Sequence, residues 1–207
     1  RPQLEALALA DSVALDPHKW LYVPIEAGLI LVKDAEAMRR TFSLVPDYLP
    51  SGAAPTGVNG LPWFSEYGSQ QSRGFRALKV WMALRFHGLA GYRAAIDHDL
   101  DQAARLVSLI DDTPDLEIVA PPSLSIVCFR FTAPGADLDT ASLNALNQAI
   151  LEDVQLGGEA FLSGTTIDGR FALRACIMNP RSSGGDIDAL VRIIRNAASR
   201  HAAARLS

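Results

Sequence analysis

The stretch ADSVALDPHKWLYVPIEAGLILVKD, residues 10–34, decides the fold of this chain. It contains two short, almost wholly apolar runs at residues 12–15 and 28–32. Runs of this kind are typical of strands that are covered on both faces, as in an α/β sheet. The connection between them carries a lysine, which raises the question of what a basic group does there.

That lysine is Lys19, which follows the end of the first run and is flanked by His18 and Trp20. Asp16 precedes Pro17, which favours an extended aspartate and ends the strand. Strand ends are where active sites of α/β sheets tend to lie. An amine held there against apolar groups loses hydration and becomes a nucleophile toward an aldehyde. Two interpretations are open: a Schiff-base lysine, or a solvated surface lysine near a turn.

Composition limits the classes of protein. The chain has 207 residues, 49% of them hydrophobic, so a sizeable core is available in a soluble globular protein. A net charge of -4, with 19 basic and 23 acidic residues interspersed, argues against a nucleic-acid partner. The sequence shows no long apolar span and no signal pattern, so we expect no membrane partner and a cytoplasmic location. Cys128 and Cys176 lie in apolar runs without metal spacing, which predicts buried thiols.

The order of elements predicts two domains. Residues 45–74 are rich in Pro, Gly and Ser, which indicates a functional lid or an interface loop. Helical spacing from Phe75 to Ile110 predicts a pair of helices or one bent helix, ended by Pro114. The remainder predicts a compact α+β unit with strands near 116–120, 124–132, 159–163 and 170–177, a helix at about 140–155 with the spaced apolar residues Leu143, Leu146, Ile150 and Val154, and a closing helix that Asp186 caps. Asp168 and Gly169, between the last two strands, indicate a two-residue hairpin turn.

Three motifs carry a resemblance to a known family. "DPHKW" after "ADS", then "SRGFRALKVW" and "LRACIMNPR", resemble the pyridoxal-phosphate-dependent amino-acid decarboxylases of group II, the aromatic amino acid and glutamate type. The resemblance implies an α/β fold of the aspartate-aminotransferase-like class, fold type I. Residues 1–113 are then the C-terminal part of the large cofactor domain with the lid and connecting helices, and residues 114–207 are the small domain.

The resemblance also implies an incomplete active site. In that family, the aspartate that pairs with the pyridine nitrogen, the ring-stacking histidine and several phosphate-binding residues precede the lysine motif. The chain has no initiator Met, and we expect a missing N-terminal portion of the same enzyme to supply these groups.

The resemblance gives the "DPHKW" residues their roles. Lys19 matches the lysine that carries pyridoxal 5'-phosphate as a Schiff base, and His18 lies close to cofactor and substrate. A histidine merely hydrogen-bonded in a turn is the alternative. Asp16 stands where relatives often have an amide near the phosphate. A carboxylate repels that group, so we expect any contact at Asp16 to use backbone atoms.

Tyr48, in "PDYLP", is the expected catalytic acid. Its match in similar decarboxylases lies on a mobile lid, protonates the carbon that loses CO2, and reaches into the neighbouring subunit's site. In relatives, a phenylalanine at this position accompanies oxidative deamination, so Tyr48 favours decarboxylation. On the residues alone, a tyrosine in a Pro-rich loop is an ordinary packing residue.

Two arginines are expected to hold anionic groups. Arg73 precedes a helix start and matches a residue that contacts the cofactor phosphate across the dimer interface, although Ser72 replaces a common glycine; a capping or surface arginine is the alternative. Arg174 shares a strand face with two small residues and matches the arginine that faces the substrate carboxylate. An outward-facing arginine paired with a surface acid is its alternative.

The predicted function is decarboxylation of an L-amino acid to the amine and CO2, by a homodimer with shared active sites. A pyridoxal-phosphate-dependent aldehyde synthase or aminotransferase-like enzyme, and a non-catalytic subunit that keeps the fold, remain alternatives. No metal is expected, because adjacent helical residues in the triplet Asp97, His98 and Asp99 point in different directions, which predicts a solvated face.

Overall fold

The computed structural model describes residues 2–44 and 63–206, which form two compact units, Arg1–Gly88 and Leu89–Ser207. Within those ranges, no helix is long and apolar enough to cross a membrane. Each unit has its own sheet, and the two sheets differ in size and in burial.

The first unit contains an antiparallel strand pair. After a short helix α1 (Pro2–Glu5) and a 3-10 turn (Ala6–Leu9), strands β1 (Ser12–Leu15) and β2 (Leu29–Val32) pair along their full length. The two predicted strands are therefore confirmed. Their predicted coverage on both faces is not found among the described residues, because no second layer packs on this pair there; Ile30, for example, is 53% exposed.

Helix α2 (Ala35–Phe42) completes the first unit together with a 3-10 turn at Phe64–Tyr67. Asp34 caps the helix by accepting hydrogen bonds from two backbone N–H groups of the first turn. Glu66, in the 3-10 turn, is buried and accepts a hydrogen bond from Arg39 of α2 at 3.1 Å. A buried carboxylate with a charged donor therefore joins the two elements.

Helix α3 (Arg76–Asp111) runs from the first unit into the second. It is interrupted at Gly88, whose φ of 62° and ψ of 177° are not helical. Glycine adopts this backbone conformation without the steric cost that a side chain would bring. The predicted pair of helices is confirmed, and the break falls at the boundary between the two units.

The second unit contains a four-stranded antiparallel sheet in the order β3-β4-β6-β5. Its strands are β3 (Leu116–Ser123), β4 (Ile126–Phe131), β5 (Ser163–Ile167) and β6 (Arg170–Cys176). The predicted strand at 159–163 is wrong by several residues. Asp168 and Gly169, with φ of 49° and 76°, form the expected two-residue hairpin turn, and this turn pairs Ile167 with Arg170. The strand before the turn therefore begins at Ser163, opposite Arg174.

Helices α4 (Thr140–Gly157) and α5 (Gly184–Leu206) pack on the core of this unit. The expected cap of the closing helix needs correction. Ser183 precedes the helix and accepts a hydrogen bond from the Asp186 N–H through its hydroxyl, while the Asp186 carboxylate accepts from the Ser183 N–H. This reciprocal arrangement is a capping box, so Ser183 is the N-cap.

A buried asparagine joins α4 to the sheet. Asn147 is fully buried, and its amide oxygen accepts a hydrogen bond from the Phe131 N–H at 2.8 Å. Its amide nitrogen donates to the Phe131 carbonyl at 2.9 Å and to the Leu143 carbonyl at 3.0 Å. Every polar atom of this side chain therefore has a partner in the core.

The second unit begins at Leu89, earlier than the predicted boundary at 113/114. Three residues of α3, namely Ala103, Leu106 and Ile110, lie in the same core as α4 and α5. The boundary at 113/114 was implied by the family resemblance and stays a prediction. The prediction of two buried thiols is wrong for Cys176, which is exposed near the end of β6; Cys128 is half-buried.

Candidate active site

Lys19 lies in a tight turn directly after β1. The Lys19 N–H donates to the Asp16 carbonyl at 2.9 Å, and the Tyr22 N–H donates to the Lys19 carbonyl at 3.0 Å. The Val23 N–H closes the corner on the Pro17 carbonyl at 3.1 Å. Pro17 and Val23 are buried beneath the turn. Proline at the second position suits a turn of this kind, so the sequence itself determines where the lysine is presented.

The Lys19 amine is paired with a carboxylate of the same turn. Its Nζ lies 2.6 Å from Asp16 Oδ2, and the two side chains are 63% and 44% exposed. The hydrogen bond from Lys19 is the main reason that the pKa of Asp16 lies below its ordinary value. Among the described residues, the dry surroundings expected for this amine are not present, and the lysine is held by an ion pair.

His18 points back toward the loop that precedes β2. Its Nδ1 lies 2.8 Å from the Ala27 carbonyl oxygen and 3.3 Å from the Ala27 nitrogen, and its side chain is half-buried. A neutral ring protonated at Nδ1 donates to that carbonyl and leaves Nε2 as an acceptor. The ring is therefore anchored through Nδ1, and in this tautomer Nε2 can accept a hydrogen bond.

An ion pair that the motifs did not indicate lies next to this contact. Arg76, the first residue of α3, donates through Nε to Glu26 Oε1 at 2.7 Å, and one of its terminal nitrogens donates to the same oxygen. Glu26 directly precedes Ala27 in the chain. Fifty residues separate the two partners, so only the tertiary structure brings them together.

Arg73 lies in the loop before α3, as expected. Its Nε donates to the Gln70 carbonyl at 3.2 Å, and neither terminal nitrogen makes a hydrogen bond within the described ranges. The guanidinium passes over Gly68, where a Cβ would come within 2.1 Å of Nη2, so a side chain at that position would displace it. Ser72 is exposed beside it. The arginine therefore has donors available for an anion.

Arg174 lies on β6 in the second unit, opposite Cys128 on β4 and Ser163 on β5. Its neighbours Leu173 and Ala175 are buried in the core, so Arg174 lies on the other face of the sheet, as the alternation predicted. Its Nη1 donates to Ser163 Oγ at 3.4 Å, a long hydrogen bond. Burial raises the pKa of the Cys128 thiol, and the positive charge of Arg174 opposes that rise.

The described structure brings some of the predicted residues together. Asp16, His18 and Lys19 share one turn, and the ion pair of Glu26 and Arg76 adjoins it. Tyr48 lies outside the described residues.

The triplet at residues 97–99 is not the solvated face that we expected. His98 Nε2 lies 2.6 Å from the Ser182 carbonyl oxygen, and Asp99 is fully buried. This part of α3 belongs to the second unit and packs into its core, and that packing overrides the polar pattern.

The chain resembles curated and solved proteins over most of its length. It is 36% identical over 180 residues to an aromatic-L-amino-acid decarboxylase of Bacillus atrophaeus, which covers 87% of this chain and 37% of the relative. It is 29% identical over 199 residues to a phenylacetaldehyde synthase of Arabidopsis thaliana, covering 96% of this chain and 40% of the relative. The chain therefore spans about two fifths of the length of these relatives.

The fold of this chain also matches that of a solved structure. A crystal structure of Oryza sativa TDC with PLP and tryptamine matches with a TM-score of 0.85 and 25% identity, covering 95% of this chain and 40% of that one. This agreement confirms the predicted α/β class, fold type I. Residues 1–132, more than half of the chain, match the pyridoxal-dependent decarboxylase conserved domain. The chain therefore belongs to the pyridoxal-dependent decarboxylase family.

Proposed function

We propose that this chain is part of a pyridoxal-phosphate-dependent enzyme that decarboxylates an L-amino acid to the amine and CO2. The observation that carries the proposal is the position of the Lys19 amine: it lies in a turn at the end of β1, beside His18, within the segment that matches the decarboxylase domain. A carboxy-lyase of this family needs a primary amine at such a place to attach its cofactor.

The donor set suits pyridoxal phosphate. Lys19 supplies the amine for the aldehyde, and Arg73 has two terminal nitrogens available for the cofactor phosphate across the proposed dimer interface. The Asp16 carboxylate forms an ion pair with Lys19. Because that carboxylate would repel a phosphate, any phosphate contact at this residue is left to backbone atoms of the turn. Ser72 is exposed next to Arg73 and can add a hydroxyl donor. These residues are the ones proposed to hold the cofactor, with His18 beside it.

Bound pyridoxal phosphate supplies an electron sink for the electron pair that the departing CO2 leaves behind. The residues of this chain orient the reaction. Because the pKa of Asp16 is lowered, its carboxylate stays ionised at neutral pH and positions the Lys19 amine. His18, anchored through Nδ1 on Ala27, presents its other ring nitrogen.

Arg174 and Tyr48 complete the proposed roles. Arg174 is proposed to hold the substrate carboxylate through charge-assisted hydrogen bonds, since the one hydrogen bond of its guanidinium among the described residues is the long bond to Ser163. Tyr48 is proposed to donate a proton to the carbon that has lost CO2. We also propose a homodimer, because Tyr48 is proposed to lie on a lid and to reach into a partner's site. The proposed location is the cytoplasm.

Aromatic L-amino acids are the first substrate class to test, since the relatives include a decarboxylase of that class. The test is carried out on the complete enzyme. Borohydride reduction followed by peptide mass analysis should find a pyridoxyl adduct on Lys19 and none on Lys33, an exposed lysine on the same unit. An unmodified Lys19 peptide would favour a non-catalytic subunit that keeps the fold.

An aldehyde-forming reaction is the second candidate, favoured by the phenylacetaldehyde synthase among the relatives. The products separate the two reactions. Decarboxylation yields the amine and CO2, whereas oxidative deamination consumes dioxygen and water and yields an aldehyde, ammonia and hydrogen peroxide along with CO2. Measurement of the amine, the aldehyde, ammonia and hydrogen peroxide with aromatic amino acids decides between them.

A further inference from the structure

Glu26 and Arg76 form a two-donor contact between the loop before β2 and the first residue of α3. Both donors of Arg76 meet a single carboxylate oxygen, Oε1 of Glu26. The Arg76 side chain is only 34% exposed, whereas that of Glu26 is 65% exposed. The fork of the guanidinium thus fixes the glutamate in one place, and a lysine could not reproduce that geometry.

The residue that follows Glu26 is the one that anchors His18. His18 Nδ1 lies 2.8 Å from the Ala27 carbonyl oxygen and 3.3 Å from the Ala27 nitrogen, which is part of the peptide bond between Glu26 and Ala27. Ala27 is 1% exposed, and Pro17 and Val23 are buried nearby. A shift of Glu26 therefore moves the backbone atoms that orient the imidazole, because the packed residues leave little room for compensation.

Three basic side chains act on the carboxylate of Glu26. Arg76 and Lys79 lie on α3, and His18 lies on the turn of the lysine motif. The hydrogen bond and charge of Arg76 are the main reasons that the pKa of Glu26 lies below its ordinary value, with smaller contributions from Lys79 and His18. His18 also contributes to the lowered pKa of Asp16, the carboxylate that pairs with Lys19. The carboxylate of Glu26 stays ionised at neutral pH.

We propose that Glu26 and Arg76 are positioning residues, which fix the ring orientation of His18 and, through the turn, the presentation of the amine of Lys19. The role in catalysis rests on the proposed function, whereas the effect on the imidazole does not. The pair couples the start of α3, three residues after Arg73, to the turn of the lysine motif.

The test uses the complete enzyme with Glu26→Gln and Arg76→Met, and with Arg40→Met as a matched control. Arg40 forms an exposed ion pair with Asp34 in the same unit, away from the turn. In the cofactor-free enzyme, the 15N signals of His18 report the tautomer and environment of its ring. We expect these signals to move in both positioning variants and to stay in place in the control.

In the loaded enzyme, we expect kcat to fall by on the order of tenfold to a hundredfold in both variants, with a smaller change in KM, because a displaced catalytic group misaligns the reacting atoms. Glu26→Asp keeps the charge on a shorter side chain and should recover part of the loss. Unchanged 15N signals of His18 in folded Glu26→Gln and Arg76→Met would overturn the inference. If Lys19 of the unmodified enzyme takes no pyridoxyl label, the proposed function fails, and the positioning role is then judged by the imidazole signals alone.

Discussion

Lys19 and Asp16 form a 2.6 Å ion pair across a single turn, so the amine proposed to attach the cofactor is oriented by a carboxylate three residues before it. The backbone closes the same turn, with the Lys19 N–H on the Asp16 carbonyl. The local sequence therefore determines both the position and the partner of this amine.

Removal of the amine should raise the pKa of Asp16. In the folded chain, the hydrogen bond from Lys19 is the main reason that this pKa lies below its ordinary value, so Lys19→Ala should raise it toward that value. Carboxyl 13C titration of the cofactor-free enzyme measures the change. Lys33→Ala serves as the control and should leave the Asp16 titration as it is. An Asp16 titration that does not change in Lys19→Ala would mean that the ion pair does not form in solution.

The sign of the linked pH effect follows from the same shift. A carboxylate whose pKa is depressed in the folded state contributes stability that is fully present above its unfolded pKa. That contribution is lost as the pH falls through the lowered, folded-state pKa. Asp16→Asn should therefore remove part of the acid sensitivity of the cofactor-free enzyme, which thermal unfolding at several pH values between neutral and strongly acidic can measure.

Tyr48→Phe should divert the reaction from amine to aldehyde. The phenol is proposed to protonate the carbon after loss of CO2, and phenylalanine has no proton to give. We expect amine formation to fall by about a hundredfold, within the range that general acid catalysis supplies, and aldehyde and ammonia to appear as dioxygen is reduced to hydrogen peroxide. Tyr67→Phe, at the other tyrosine of residues 45–74, is the control. If Tyr48→Phe forms the amine at an undiminished rate, Tyr48 is not the catalytic acid.

Arg174→Met should weaken substrate binding. Loss of a hydrogen-bonded charge costs about 1.5–3 kcal/mol, which corresponds to a rise in KM of roughly tenfold to a hundredfold. Steady-state kinetics of the complete enzyme measure KM, and cofactor absorbance checks that loading is unchanged. Arg192→Met, at an exposed arginine of the same unit, should leave KM unaltered. Equal KM values for both variants would show that Arg174 does not hold the carboxylate.

Asn147→Ala should destabilise the second unit. The substitution leaves the N–H and the carbonyl of Phe131 without their partners in the core. An unsatisfied buried group costs roughly 1–3 kcal/mol, and two are created here. Urea unfolding followed by fluorescence should show a lower midpoint, whereas Gln148→Ala, at the exposed neighbouring position, should change the free energy of unfolding by no more than about 0.5 kcal/mol. A midpoint unaffected by Asn147→Ala would show that water replaces the amide.

Local pattern was sufficient for most elements of the fold. Alternation placed Leu173 and Ala175 in the core and Arg174 on the other sheet face, and helical spacing identified the buried side of α4. The hairpin turn at Asp168 and Gly169 was also predicted, although the strand before it was not, since its start depends on the pairing partner. Strand limits are set by register, which no single segment contains.

The motif residues of the site could be named from the sequence, but their surroundings could not. The exposure of Lys19 and its ion pair with Asp16 depend on how the turn packs. Asp99 is buried because this part of α3 packs into the core of the second unit. Nothing in the sequence indicated that Glu26 and Arg76 pair: Arg76 lies within the motif SRGFRALKVW, but neither residue was assigned a role, because a charged residue in a loop and one at a helix start are ordinary in isolation.

The sequence by itself determined the family, the strand and helix order, and the turn that presents Lys19, because hydrophobic period, proline and short motifs act over neighbouring residues. Only the tertiary structure decided which distant side chains meet. The Glu26–Arg76 ion pair spans fifty residues, and the bond between Asn147 and Phe131 joins a helix to a strand. Such contacts form only once packing has fixed both backbones, since the geometry of a hydrogen bond tolerates displacements of only a few tenths of an ångström.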